Sequence, residues 1–112
     1  GSLERPQLPR GMDLAGTVLS VTCVEAGLVL VDVQDPITPV ILATLDTGGS
    51  ASDVEVQGDL AYVADGDNGL VIADISDPSN PALVGHVDTP GFAADVAVRG
   101  SWALLGYPFE GL

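Results

Sequence analysis

One short run in the sequence has the composition of a cation site. Asp65, Asp67 and Asn68 stand in the glycine-punctuated run DGDNG, residues 65–69. Carboxylate and amide oxygens are the ligands that Ca²⁺ prefers, so these three residues are the candidate metal ligands. The run lacks the bidentate glutamate and the length of a complete calcium loop. An ordinary tight turn is the competing interpretation; the sequence requires no cofactor, and Ca²⁺ is the only candidate for one.

The side chains that most often support catalysis are scarce. His86 is the only histidine, so no second imidazole is available to share a zinc ion, and no serine or cysteine near it stands in a nucleophile motif. Cys23 is the only cysteine, which excludes an intrachain disulfide. Because Cys23 lies in an apolar run, it is predicted to be a small buried thiol. The sequence therefore favours a protein that is not an enzyme.

An internal repeat positions these residues. When the sequence is shifted by 42 residues, GLVLVDVQDPITP (residues 27–39) aligns with GLVIADISDPSNP (residues 69–81). In the same register, residues 46–70 align with residues 88–112 without a gap. A period of this length is typical of solenoids and propellers.

Each repeat unit contains four short apolar runs separated by turn residues. In the middle unit these runs are SDVEVQG, LAYVADG, LVIADIS and ALVGHVD. The first alternates apolar and polar residues, whereas the second and third are apolar on both faces and must be covered on both. Stacked antiparallel sheets of four strands satisfy this pattern. The predicted fold class is all-β, built from antiparallel four-stranded propeller-type blades.

Several aspartates recur once per unit, which favours a structural role because catalysis needs one site only. One pair precedes proline in the turns, where an aspartate accepts backbone N–H bonds: Asp35 and Asp77. The others are predicted to cap strand ends: Asp32, Asp74, Asp53 and Asp95.

The repeat resembles a known family. GLVLVDVQDPITP and GLVIADISDPSNPALVGHVDTPG are similar to the LVIVD repeat, a β-propeller motif, in their Gly-Leu-Val core, their Asp-Pro-x-x-Pro turn and the following Asp-Thr. The resemblance extends over residues 11–112. It implies a propeller and suggests an extracellular or cell-surface location, but it implies no common activity. The compartment is otherwise unknown.

The repeat count predicts an incomplete structure. After a tag or tail at residues 1–6, a single repeat domain at 7–112 divides into blades at 7–48 and 49–90 and a half-blade at 91–112. About 2.5 blades cannot close a ring, and repeat arrays need capped ends. We therefore expect either a fragment of a longer propeller or an assembly in which copies of the chain complete one another.

The half-blade contains the candidate interface. Its second strand has no following strand to pair with, and it carries neither lysine nor any other charge that would protect an edge. A homo-oligomer is therefore expected, most simply a dimer that pairs this strand about a two-fold axis, with a ring of three or more chains as the alternative. The predicted interface residues are Trp102, Leu104, Leu105, Tyr107 and Phe109.

Charge narrows the classes of partner. The chain has 16 acidic and 3 basic residues, for a net charge of −13. Such a surface repels phosphate backbones, so nucleic acid is disfavoured, and no apolar stretch is long enough for membrane insertion. A glycan-binding propeller would repeat an exposed aromatic in each blade, which this chain does not. The favoured function is a non-catalytic scaffold or protein-interaction module with an unknown protein partner, and the alternative is a Ca²⁺-dependent binding or hydrolytic protein using residues 65–69.

Overall fold

The described part of the chain is all-β. The computed structural model describes residues 9–23, 26–35, 37–88, 93–100 and 102–106, and none of these residues is helical. No helix there is long and apolar enough to cross a membrane. Ten strands follow one another: β1 (Pro9–Ala15), β2 (Val18–Cys23), β3 (Gly27–Asp32), β4 (Val40–Leu45), β5 (Asp53–Gln57), β6 (Leu60–Ala64), β7 (Leu70–Asp74), β8 (Ala82–Val87), β9 (Asp95–Arg99) and β10 (Trp102–Gly106).

The strands form three antiparallel sheets in chain order. The first sheet has the order β1-β2-β3-β4, the second β5-β6-β7-β8, and the third contains β9 and β10. Neighbouring strands pair as hairpins, and their registers in the first and second sheets correspond after a shift by one repeat unit. The predicted fold class of incomplete, propeller-type four-stranded blades is confirmed. The boundaries proposed for the tail and the domain stay a prediction.

Glycine closes the hairpin at the start of each unit. The turns β1–β2, β5–β6 and β9–β10 begin at Gly16, Gly58 and Gly100, with φ of 63°, 63° and 61°. A two-residue hairpin turn needs positive φ, which glycine adopts without a steric penalty. The same residue at the same place in each unit therefore fixes the same register.

The sheets stack face to face. We call the side of a sheet toward the next sheet along the chain its front face, and the opposite side its rear face. Leu28 and Leu30 on the front face of the first sheet are fully buried against the rear face of the second. The second sheet contributes mostly small and β-branched side chains to this core, namely Val54, Ala61, Val63, Val71 and Ala73.

A second core joins the second and third sheets in the same way. Val96 and Val98 on the rear face of β9 are buried against the front face of the second sheet. That face supplies Ala64, Leu70, Tyr62 and Ile72. The β-strands that the sequence predicted to be covered on both faces are therefore those at the centre of the stack, β6 and β7.

Candidate functional site

The run DGDNG forms the tight turn between β6 and β7. Asp65 is 0% exposed, and its backbone N–H donates to the carbonyl oxygen of Gly69 at 2.8 Å. The N–H of Asn68 closes the turn on the carbonyl oxygen of Asp65 at 3.0 Å. Asp67 is exposed at the tip. The three predicted ligands therefore lie in one turn, but Asp65 is inside the protein and Asp67 is outside.

Both carboxylate oxygens of Asp65 already have donors from protein groups. The Thr47 hydroxyl donates to Oδ1 at 2.6 Å, and the Asn68 side-chain amide donates to Oδ2 at 3.0 Å. The same amide nitrogen also donates to the backbone carbonyl of Thr47 at 3.0 Å. Both oxygens of the Asp65 carboxylate are therefore engaged by donors of the chain itself, one from the preceding linker and one from the turn.

The 65–69 turn joins two linkers. Thr47 lies in the segment that enters the second sheet, and Gly49 of that segment passes so close that a Cβ on it would collide with the carbonyl oxygen of Asp65. On the other side, Gly66 and Ala93 exchange two backbone hydrogen bonds, at 3.0 and 2.9 Å, and Ala93 lies in the segment that leads to the third sheet. The turn therefore fixes the second unit to its neighbours.

Calcium should not stabilise the protein, because the buried carboxylate is satisfied by Thr47 and Asn68. We expect the melting temperature to stay unchanged when CaCl₂ is added, whereas a ligand at 100 times its Kd would add about 2.7 kcal/mol. The measurement is a thermal melt followed by circular dichroism, with MgCl₂ as the control salt. A rise of several degrees that Asp67→Asn abolishes would instead support the calcium hypothesis.

A shallow cleft lies beside this turn. Thr47, Asn68, Val71, Leu83, Gly85 and His86 line it, and its volume is about 380 Å³. His86 is exposed on β8, as the sequence predicted; its Nε2 donates to the carbonyl oxygen of Asn68 at 2.6 Å and lies 3.3 Å from the Asp88 carboxylate. Within the described ranges, no three histidine, cysteine or acidic side chains group as metal ligands do. Among the described residues that line the cleft, the Thr47 hydroxyl donates to Asp65 and His86 Nε2 donates to the carbonyl oxygen of Asn68, so these two side chains are not paired with each other.

The aspartates at the turns have the structural role that the sequence predicted. Asp35 accepts from the backbone N–H of Ile37 at 3.1 Å and from the Thr38 hydroxyl at 3.0 Å. Asp74 accepts from the backbone N–H of Ser76 at 2.9 Å. This backbone bond, with a second from the Ser76 side chain, holds the pKa of Asp74 below its usual value.

Cys23 is buried at the end of β2, as predicted. Burial raises the pKa of its thiol above the usual value. A protonated thiol is a poor nucleophile, so Cys23 acts as a small apolar side chain.

Sequence reasoning missed a set of carboxylates that connect neighbouring sheets. Asp13 on β1 accepts from the backbone N–H of Val56 on β5 at 2.7 Å. Glu55, the equivalent of Asp13 in the next unit, accepts from the N–H of Val98 on β9 at 3.1 Å. In both cases the acceptor and the donor are 43 residues apart in the chain.

Asp53 has this connecting role as well. It was predicted to cap its own strand, but its carboxylate accepts from the backbone N–H of Val96 in the third sheet at 3.0 Å. The prediction failed because the N–H groups that need an acceptor are those on the open edge of the next sheet, since β5 and β9 are edge strands. A carboxylate from the preceding unit satisfies them and blocks the edge. The recurrence of an acid at positions 13 and 55 was the available signal.

The structure does not describe the side chains of the predicted interface residues. Trp102, Leu104 and Leu105 lie in β10, whose backbone is described and whose side chains are not, and Tyr107 and Phe109 lie outside the described residues. Within the described strands, β10 is paired with β9 only.

Comparison with models of protein families finds a match in the middle repeat unit. The model of the LVIVD repeat matches residues 48–89, about one repeat. This match confirms the resemblance for the second sheet and its linkers, and it suggests a repeat module of the β-propeller type. A comparison with curated proteins finds no match to the chain.

Proposed function

We propose that this protein is a non-catalytic β-propeller-type scaffold that assembles through its third, two-stranded sheet. The observation that carries the proposal is apolar sheet surface that the described strands leave uncovered, both on the rear face of the first sheet, where Met12 and Leu14 are exposed, and in a strip on the second sheet. Leu42 and Leu45 of β4 pack against the core between the first two sheets. Their equivalents in the next unit, Val84 and Val87 of β8, are 57% and 49% exposed. The third sheet has no described strands to cover them.

Among the described strands, the outer edge of β10 has no partner, and its backbone groups adjoin this surface. Val96 and Val98 direct their N–H groups to Asp53 and Glu55 on the free side of β9. Their partners across the hairpin are Leu105 and Ala103. In two antiparallel strands, residues that lie opposite one another either both point their N–H groups at the partner strand or both point them away from it. The N–H groups of Ala103 and Leu105 therefore face the open edge, where another polypeptide can bond them.

The second sheet restricts how two copies can use this edge. Because β9 lies over β5 and β6, the strands β7 and β8 extend past the two described strands of the third sheet. An antiparallel pairing of two β10 strands about a two-fold axis would place both second sheets on the same side, where β7 and β8 of each copy would overlap β6 and β5 of the other. This conflict favours an assembly through the front face of the third sheet over pairing at its edge.

We favour a second copy of the chain as the partner, and the mass of the assembly in solution tests the proposal. Size exclusion with light scattering should give a dimer or a larger species, against 11.3 kDa for one chain. Ala97→Arg, on the front face of β9, should reduce the assembly to monomers because it places a charge in the contact. Ile37→Arg, in the exposed turn between β3 and β4, is the matched control and should leave the mass unchanged.

A second variant distinguishes a contact at the open edge of β10 from a contact at the front face of the third sheet. Leu105→Pro removes one N–H group from the open edge and leaves the hydrogen bonds between β9 and β10 intact, so it disrupts the assembly only if the edge is the contact. A monomer at every concentration of the unaltered protein would contradict the proposed function.

A further inference from the structure

The rear face of the first sheet is apolar and has no neighbouring sheet in the described part of the chain. Six side chains form it: Met12, Leu14, Leu19, Val21, Val29 and Val31. Met12 and Leu14 are 58% and 57% exposed, and the other four are half-buried. Single exposed apolar residues are common, but six on one face of a sheet form a continuous surface of the kind that binds a partner.

The second sheet shows what covers such a face. The equivalents of these six residues are Val54, Val56, Ala61, Val63, Val71 and Ala73, which pack on the front face of the first sheet. Val54, in the position of Met12, is 4% exposed. The rear face of the second sheet therefore binds the front face of the sheet formed by the neighbouring repeat unit.

The hydrogen bonds between neighbouring sheets indicate which sheet would bind the rear face of the first sheet. An acceptor carboxylate and its donor N–H are separated by 43 residues, as in the bond between Asp53 and Val96. Asp95 is the next residue in this series after Asp53, and it is exposed. An N–H that donates to Asp95 would lie 43 residues further along the series. That position is three repeat units beyond Met12 and is therefore its equivalent. By the same step, Ala97 would oppose Leu14.

We infer that the rear face of the first sheet binds the front face of the third sheet of a second copy of this chain, in a head-to-tail contact. The inference rests on the proposed self-association and specifies its geometry. This contact is heterologous, so two copies close a ring in which it occurs twice when the three sheets of each copy turn through half a circle about the propeller axis. Asp95 of one copy accepts from the N–H of Met12 of the other, as Asp53 accepts from Val96 within one chain.

Residue identity supports the second copy over an unrelated partner. Asp95 repeats the acceptor at Asp53, and the six residues of the first rear face are as apolar as those that the second sheet buries. Ala97, in the position of Glu55, is small enough to leave room for the larger Leu14 in the position of Val56. The outer half of the third sheet stays open in this ring, so Val84 and Val87 stay exposed.

Charge substitutions at opposed positions test the contact. Leu14→Glu alone and Ala97→Arg alone should each halve the mass measured by light scattering, because every contact in either homodimer contains the substituted residue. An equal mixture of the two variants should regain the dimer mass. In the mixed dimer one contact is unaltered, and the other places the glutamate against the arginine.

The outcomes separate this inference from the proposed function. If Leu14→Glu keeps the dimer while Leu105→Pro dissociates it, self-association stands and the head-to-tail contact is wrong. If the unaltered protein is monomeric, the proposed function itself fails. If Leu14→Glu lowers the melting temperature of a monomer, and deletion of residues 1–8 does the same, this chain's own amino-terminal segment covers the face and the inference is overturned. Failure of the mixture to regain the dimer mass would also contradict it.

Discussion

Replacing Thr47 with valine should lower the free energy of unfolding by about 2 kcal/mol, because a buried acceptor loses its donor. The Thr47 hydroxyl donates to Oδ1 of Asp65, which is fully buried. Valine has nearly the same shape, so the substitution leaves no cavity and the loss reports the hydrogen bond. Urea unfolding followed by circular dichroism gives the difference in free energy.

Thr38→Val is the matched control for this prediction. Its hydroxyl also donates to an aspartate, at 3.0 Å from Asp35, but both residues are exposed. Water replaces the lost donor there, so the expected change is within about 0.5 kcal/mol. Equal losses of unfolding free energy for Thr47→Val and Thr38→Val would show that the buried bond to Asp65 stabilises the protein no more than an exposed one.

The hydrogen bonds of the DGDNG run support a structural role for it. Its hydrogen bonds extend to Thr47 in one linker and to Ala93 in the other, so the turn determines how three successive sheets are placed. The equivalent of Asp65 in the first unit is Cys23, and in the third it is Tyr107. An acidic turn that occurs in only one of three units therefore suggested a specific site from sequence, whereas in the structure the carboxylate is one of the groups that hold the units together.

The fold could be predicted from the sequence because its determinants are local. Glycine at positions 16, 58 and 100 closes equivalent hairpins, and the alternation in VEV and VAV directs the valines of β5 and β9 to one face. A repeat without gaps then places each strand by analogy with its neighbour. The four apolar runs identified in the middle unit each contain one of the observed strands β5, β6, β7 and β8.

The contacts between units could not be predicted in the same way. Asp53 and Val96 are far apart in the chain, and they meet only because neighbouring sheets are stacked with a particular offset. That offset depends on close approaches such as Gly11 against Asp53, where a Cβ would lie 2.7 Å from the Asp53 Cα. A repeat pattern shows which positions are equivalent, but it does not show how far one unit is displaced along the next.

Replacing Leu30 with alanine should lower the free energy of unfolding by about 3 kcal/mol, the loss typical of a leucine deleted from a core. Leu30 is fully buried between the first and second sheets. Leu83→Ala removes the same atoms from an exposed position on β8 and should change stability far less. The comparison requires equal protein concentrations, because self-association adds to the apparent stability.

Leu30→Ala should also separate the unfolding of the sheets. Stability in a repeat array is a sum of unit and interface contributions, and this substitution weakens only the interface between the first two units. Trp102, the only tryptophan, lies in β10, so its fluorescence follows the third sheet while circular dichroism follows all strands. The two transitions should coincide in the unaltered protein and diverge in Leu30→Ala, with circular dichroism changing at lower urea. Coincident transitions in both proteins would mean that the three sheets unfold as one unit, and a loss no larger than that of Leu83→Ala would show that the stack is not held at Leu30.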